Sequence, residues 1–347
     1  MESYESKLIA DVEREVRLQR SLKLHEVPER PLEPIRWGKI ISEQPSRFIR
    51  PDGSLIVETL RNFKKVRLLL ANDDPAFDPQ KPSLKTLIGG GRRGVKKLLR
   101  GFVRILKERG YGYLLKKYSP PAVGNRYTYH YNGYSLTVRW CLHLYYVGLL
   151  NQILGSKHLG AEFTTVDIGS GHGDFSYLLK REYPKAHCVL VDFPEQLAIA
   201  RYQLGMLFPE ARMAGTKEIA GLESIPRSFL ESHDVTFVPH KLYPRLPAGS
   251  IDLVTNFTSF GEMTKEWFHY YVDAPVFKTA KWFMTANRII SRPGYDSDLT
   301  ILDYPTHKPL HFGLHPLCGY NYTRHKLFFT RRGTTSSPVF EYIGQQA

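Results

Sequence analysis

The stretch Val166-Asp-Ile-Gly-Ser-Gly-His-Gly-Asp-Phe-Ser176, VDIGSGHGDFS, decides how this chain folds. An apolar run ends at Ile168, glycines follow at 169, 171 and 173, and a helical pattern starts near Asp174 and ends before Pro184. Glycines at a strand-to-helix junction permit a sharp turn, and they let a ligand approach the backbone with no Cβ in the way. The helix N-terminus adds free N–H donors. Downstream, AHCVLVDF reads as a second strand ending in Asp192, twenty-one residues after Gly171. An acid at that place can accept both hydroxyls of a ribose. Strand, glycine turn, helix, strand and acid together imply an adenine nucleoside as ligand.

The spacing narrows which nucleoside. A dinucleotide fingerprint wants GxGxxG, but Asp174 stands at its third glycine, and the run is GxGxG. Asp167 precedes the first glycine by two residues, where a carboxylate suits a ligand carrying an ammonium group better than a pyrophosphate. No GxxxxGK[ST] occurs, so a P-loop is excluded. Outward from this unit, β-type runs near 164–169, 187–192, 234–238, 250–255, 280–286, 298–304 and 326–331 alternate with helical segments. Such alternation predicts an α/β layer with a mostly parallel sheet.

The residues DIGSGHG and LVDF resemble class I S-adenosylmethionine-dependent methyltransferases. The resemblance implies a Rossmann-like class I methyltransferase sheet of seven strands, with S-adenosylmethionine as cofactor. It places Asp167, Gly169, Ser170, Gly171, Gly173, Asp192 and Phe193 around that cofactor. Further on, LVDFPEQLAIARYQL followed by IDLVTNFTSFGEM is similar to a sugar O-methyltransferase family of bacterial polysaccharide and glycoside biosynthesis. The match falls on Asn256, Ser259, Phe260, Glu262 and Met263; the chain departs at Phe257 and Gly261, where serines are expected, and at His172, where an aromatic is common. The similarity runs from about Gly124 to Tyr304 and implies O-methylation of a saccharide hydroxyl; the basic segment of the chain, described below, favours an acidic or lipid-linked glycan.

Methyl transfer to a hydroxyl needs alignment and a general base within hydrogen-bond reach. The candidates at strand ends are Glu262, His240, His172 and Asn256, with Asp303 and His307 behind them. Ser259-x-x-Glu262 ahead of MTKEWFHYYV is equally a capping box. Arg139, Tyr134, Ser259 and Arg288 are the candidates for holding the acceptor. Asp296, Asp298 and Asp303 are too scattered to define a metal site.

At 347 residues, with 42% hydrophobic and 13% aromatic content, the chain can bury a large core. Cys141, Cys188 and Cys318 are odd in number and far apart, which fits a reducing cytoplasm better than a disulfide framework. No window approaches a membrane span. The net charge of +14 is concentrated between Lys85 and Lys117, where eleven Lys or Arg face Glu108 alone. There GVKKLLRGFVRILKE sets Val95, Leu98, Leu99, Phe102, Val103 and Leu106 on one helical face, either a core helix or one lying on an anionic membrane through residues 92–117. Residues 4–24 read as an amphipathic helix, packed on its own domain or serving a homo-oligomer. The expected division is a basic helical region (1–120), a helical linker contributing to the acceptor site (121–160) and the cofactor-binding domain (161–347). Two other functions fit less well. An RNA ribose 2′-O-methyltransferase lacks its Lys-Asp-Lys-Glu-like set, so nucleic acid is not the expected partner; a non-catalytic cofactor-binding scaffold has no need of the Asn256–Met263 signature.

Overall fold

The computed structural model describes residues 3–25, 48–62, 90–126, 128–291, 299–317 and 337–346. The strands are β1 (Tyr129–Tyr131), β2 (Tyr134–Leu136), β3 (Thr164–Ile168), β4 (His187–Asp192), β5 (Met213–Ala214), β6 (Val235–Pro239), β7 (Leu253–Phe257), β8 (Trp282–Arg288), β9 (Pro309–Leu314) and β10 (Val339–Gln345). β1 and β2 form a separate antiparallel hairpin. The rest form one eight-stranded sheet in the order β5-β6-β4-β3-β7-β8-β10-β9. β5, β6, β4, β3, β7 and β8 pair in parallel, and β10 runs antiparallel to both of its neighbours.

The chain steps outward from β3 through β4 to β6, then returns to lay β7 on the other side of β3. The strand order thus reverses between β3 and β7, which opens a crevice at their carboxyl ends. This is the Rossmann-like class I methyltransferase sheet, with the two-residue β5 added at one edge as an eighth strand where seven were expected. Successive residues of β4 feed opposite faces: Cys188 and Leu190 enter one core, Val189 and Val191 the other.

One expected strand needs correction. Residues 298–304 are not a strand in their described part. Thr300 makes an isolated bridge to Ile290, and its hydroxyl and the Asp303 carboxylate cap the short 3₁₀ turn Ile301–Asp303. The strand expected at 326–331 lies outside the described residues; among the described residues, β10 and β9 follow β8 in the sheet.

The helix Tyr4–Ser21 begins at Ser3, whose hydroxyl accepts the Ser6 amide at 3.1 Å. It buries Leu8, Val12 and Val16 against Ala198, Ile199 and Tyr202 of the helix Pro194–Leu207, each worth about 1.5–3 kcal/mol. Arg201 reaches Asp11 at 2.7 Å across the same contact. The arm is therefore packed on its own chain. The helix Gly90–Glu108 likewise buries Val95, Leu99, Phe102, Val103 and Leu106 against the helix Val138–Ile153 and strand β1 of the hairpin. Its apolar stripe is inside the protein. Its basic face is exposed. No described helix is long and apolar enough to cross a membrane.

Candidate active site

The glycine turn is built by left-handed backbone. Gly169, Gly171 and Gly173 have φ of +74°, +57° and +81°, values that favour glycine. Each glycine meets a different surrounding. A Cβ on Gly169 would run into the Ser259 hydroxyl. One on Gly173, the N-cap of the helix Asp174–Glu182, would stand 3.1 Å from Leu204. One on Gly171 would meet nothing within 4 Å. Open space beside a bare left-handed residue, at the carboxyl ends of β3 and β4, is where a ligand can lie against the chain.

Two carboxylates flank that space. Asp192 ends β4, and its oxygens accept the Gly171 and Phe193 amides, each at 2.7 Å. Burial raises it to about 7 against the pull of those two amides. Asp167 in β3 is buried and accepts the Thr255 hydroxyl at 2.8 Å. Burial raises it too to about 7, with Asp192 adding to the effect. The second Asp167 oxygen has no hydrogen bond among the described residues. The Ser170 hydroxyl oxygen is also buried without a partner among them.

The Asn256–Met263 segment does something that its spacing did not disclose. Asn256 donates to the Ile168 carbonyl at 2.8 Å and to the Ser259 hydroxyl, and it accepts from the Phe260 amide at 3.1 Å and from Asn287 at 2.7 Å. Ser259 donates to the same Ile168 carbonyl at 3.2 Å. Every polar position of Asn256 is consumed in locking the end of β7 to the end of β3. Asn256 is thereby a clamp between the end of β7 and the end of β3. Ser259 belongs to the same clamp. The capping-box reading fails for the same reason, since the Ser259 hydroxyl points at Ile168 and the helix Lys265–Val272 is capped by Thr264, which accepts the Trp267 amide at 3.4 Å. Thr258 sits at φ +67° between them, a costly conformation for a β-branched residue and one the lock must hold.

Glu262 instead faces Arg288 at the end of β8, and one of its oxygens accepts from both terminal guanidinium nitrogens at 3.2 Å. The other oxygen carries no hydrogen bond among the described residues, and the side chain is 19% exposed. Arg288, buried at the end of β8, is thereby a partner of Glu262.

The histidines divide. His240 follows β6, is buried, and packs on Phe193 and Trp267 at 4.9 and 5.5 Å between ring centres. Neither ring nitrogen has a hydrogen-bond partner among the described residues. Burial, helped by Lys241, lowers it to about 3, so it is neutral and a poor base. It stands next to Phe193, just past the end of β4. His172 lies 3.3 Å from Asp174 in a buried group that no motif foretold. Asp174 accepts from Arg126 at 2.5 Å and from Gln203 at 2.8 Å. Burial pushes Asp174 up, but Arg126 and His172 outweigh it and hold the acid well below the usual carboxylate range.

The helix Val138–Ile153 borders this group. Arg139 is half-buried near its start, and one turn on His143 is buried and lowered to about 3, chiefly by burial. Tyr146 stacks on Phe257, ring centres 4.0 Å apart and 8° from parallel. This accounts for an aromatic at 257, where the family pattern has serine. Tyr134 is elsewhere: it lies in β2 with Lys107 5.7 Å over its ring. No spacing signal could have joined Arg126, Asp174 and Gln203. Among the described residues no group of three or more His, Cys, Asp or Glu converges to hold a metal.

No family model matches the chain, and no curated protein does. Solved structures are similar in fold. One is the bifunctional kinase-methyltransferase WbdD, at 15% identity over 59% of this chain and 39% of that one, with a TM-score of 0.37. Another is magnesium protoporphyrin IX methyltransferase from Synechocystis with bound SAM, at 11% over 60% and 82%, TM-score 0.37. A third is geranyl diphosphate C-methyltransferase from Streptomyces coelicolor in complex with Mg2+, geranyl-S-thiolodiphosphate and S-adenosyl-L-homocysteine, at 12% over 57% and 74%, TM-score 0.37. The match covers 39% of the WbdD chain's own length. What these proteins bind is a property of theirs.

Proposed function

We propose that this protein is an S-adenosylmethionine-dependent O-methyltransferase acting on a saccharide hydroxyl. The observation that carries the reading is the bare, left-handed Gly171 facing open space between two carboxylates, Asp167 and Asp192, at a strand-order reversal. The chemistry of this donor set fits the cofactor. Asp167 keeps an oxygen for an ammonium group, and Asp192, with one amide on each oxygen, keeps a lone pair on each for two ribose hydroxyls. Phe193 supplies an apolar wall for the adenine, and His240 beside it presents ring nitrogens with no other partner among the described residues.

The cofactor, when bound, supplies a methyl group activated as a sulfonium. The chain itself must orient the acceptor and take its proton. Glu262 is the group placed to take that proton, because Arg288 holds one of its oxygens and the other is left to accept from a hydroxyl. The saccharide as acceptor is supported by the family resemblance at Asn256, Ser259, Phe260, Glu262 and Met263, spread over Gly124–Tyr304. The test is transfer of labelled methyl from S-adenosylmethionine to a panel of acidic and neutral oligosaccharides, protein and RNA. An alkali-stable methyl ether on a saccharide is expected. Label on RNA ribose, or on no acceptor of the panel while the protein binds the cofactor, contradicts the reading.

A further inference from the structure

The helix Gly90–Glu108 and the β1–β2 hairpin enclose a groove of about 830 Å³ whose lining includes no residue of the glycine turn. One wall is Lys96, Lys97, Arg100, Arg104 and Lys107; the other is Tyr131, at the tip of the hairpin. Because Val95, Leu99, Phe102, Val103 and Leu106 are buried, the outer face of this helix is almost wholly basic. Glu108 answers Arg104 only, at 3.7 Å. Lys96, Lys97, Arg100 and Lys107 have no ion pair among the described residues. Arg100 lies 5.7 Å over the Tyr131 ring, and Gly101 leaves the floor open, with nothing within 4 Å of where a Cβ would be. Concentrating this much like charge destabilises a surface unless a partner neutralises it.

The partner can be argued from shape. Lys96, Arg100, Arg104 and Lys107 fall on one stripe, close to one cation per helical turn, over about 16 Å. That is the length of a short polymer, not of a single small anion. An anionic bilayer would meet charge alone, with no apolar stripe left to insert. A chain of sugars carrying one acidic group each offers charges at a similar spacing and an apolar ring face for a tyrosine to stack on.

We propose that this groove binds an acidic glycan: carboxylates of successive sugars meet Lys96, Arg100, Arg104 and Lys107, and one sugar ring stacks on Tyr131. The binding follows from the groove itself; that the bound glycan is the acceptor rests on the saccharide O-methyltransferase reading.

The experiment titrates the full chain with a defined oligogalacturonate, its methyl-esterified neutral form, a single-stranded RNA of equal charge and vesicles of phosphatidylglycerol. The same titrations are run on Arg100→Glu/Lys107→Glu and on Tyr131→Leu, and circular dichroism confirms that each variant folds. Binding of the oligogalacturonate and not of its ester is expected. The charge variant should weaken it at least about tenfold, and Tyr131→Leu should weaken it several-fold while leaving RNA and vesicle binding unchanged. Equal binding of the ester, no binding of the oligogalacturonate, tighter binding of RNA or vesicles, or indifference to Tyr131→Leu overturns the proposal. Titration with S-adenosylmethionine alongside separates the two claims: oligogalacturonate binding without cofactor binding sinks the enzyme reading alone, and the reverse sinks the groove alone.

Discussion

Replacing Asn256 with alanine separates a clamp from a catalyst. The side chain makes four polar contacts: to Ile168, Ser259, Phe260 and Asn287. Without it the buried Phe260 amide loses its acceptor, which costs about 1–3 kcal/mol. The other three partners keep a second contact each or a route to one: Ser259 still donates to the Ile168 carbonyl at 3.2 Å, and Asn287 still reaches Thr285 at 2.6 Å. Their losses fall at the low end of about 0.5–1.5 kcal/mol each. The total is about 3 kcal/mol, or about 4 °C in melting temperature for a chain of this size. Cofactor affinity should fall with it, because Gly169 is seated against the Ser259 hydroxyl that Asn256 holds. The assay is thermal unfolding followed by circular dichroism, with a cofactor titration on the folded variant. A variant that melts within about 1 °C of the wild type while losing turnover would refute the clamp and restore Asn256 to the chemistry.

Other outcomes follow from the same geometry. Gly171→Ala accepts a left-handed φ of +57° at about 1–2 kcal/mol, yet cofactor affinity should drop at least about tenfold, since its Cβ enters the space a ligand needs; undiminished affinity would move the nucleoside elsewhere. Asp167 has its pKa raised to about 7 in the free protein, and an ammonium group beside it favours the ionised form. Binding should therefore release a proton below pH 7, and affinity should rise from pH 5 to 7 and level off above, which calorimetry in buffers of differing ionisation enthalpy reads directly. In the ligand-free fold the same shift has the opposite sign for stability: a carboxyl that holds its proton more tightly when folded contributes stability at about pH 4 that is lost as pH rises through 7. Glu262→Gln should keep a hydrogen bond to Arg288 and the cofactor affinity while lowering turnover about 10²–10⁴-fold; full activity would reduce Glu262 to the partner of Arg288.

What could be read in advance was what lies close in sequence. The β3–glycine–helix–β4–Asp192 unit is contiguous, and its strand ends and turn fell where the pattern placed them. β10 escaped because Glu341 interrupts its apolar run; that acid is buried, and its partners, Tyr145 at 2.9 Å and His311 at 2.8 Å, come from distant segments. β9 is an edge strand that exposes Leu310, Phe312 and Leu314, so no burial pattern marked it. In the site, the residue types of Asn256, Ser259 and Glu262 were visible, but their partners were not. Whether a serine caps its own helix or reaches a carbonyl ninety-one residues away is decided by the packing of β7 on β3. The Arg126–Asp174–Gln203 group has the same character: Asp174 looked like an ordinary acid at a helix start until the fold brought an arginine to it.

The central claim is that the glycine turn faces a sulfonium nucleoside, and calorimetric titration of the full chain with S-adenosylmethionine, S-adenosylhomocysteine and NAD tests it most directly. Saturable binding of the first two, weakened at least about tenfold in Gly171→Ala, with no heat from NAD, is the predicted result. Binding of NAD, or no binding of either S-adenosyl compound to a folded protein, would contradict it.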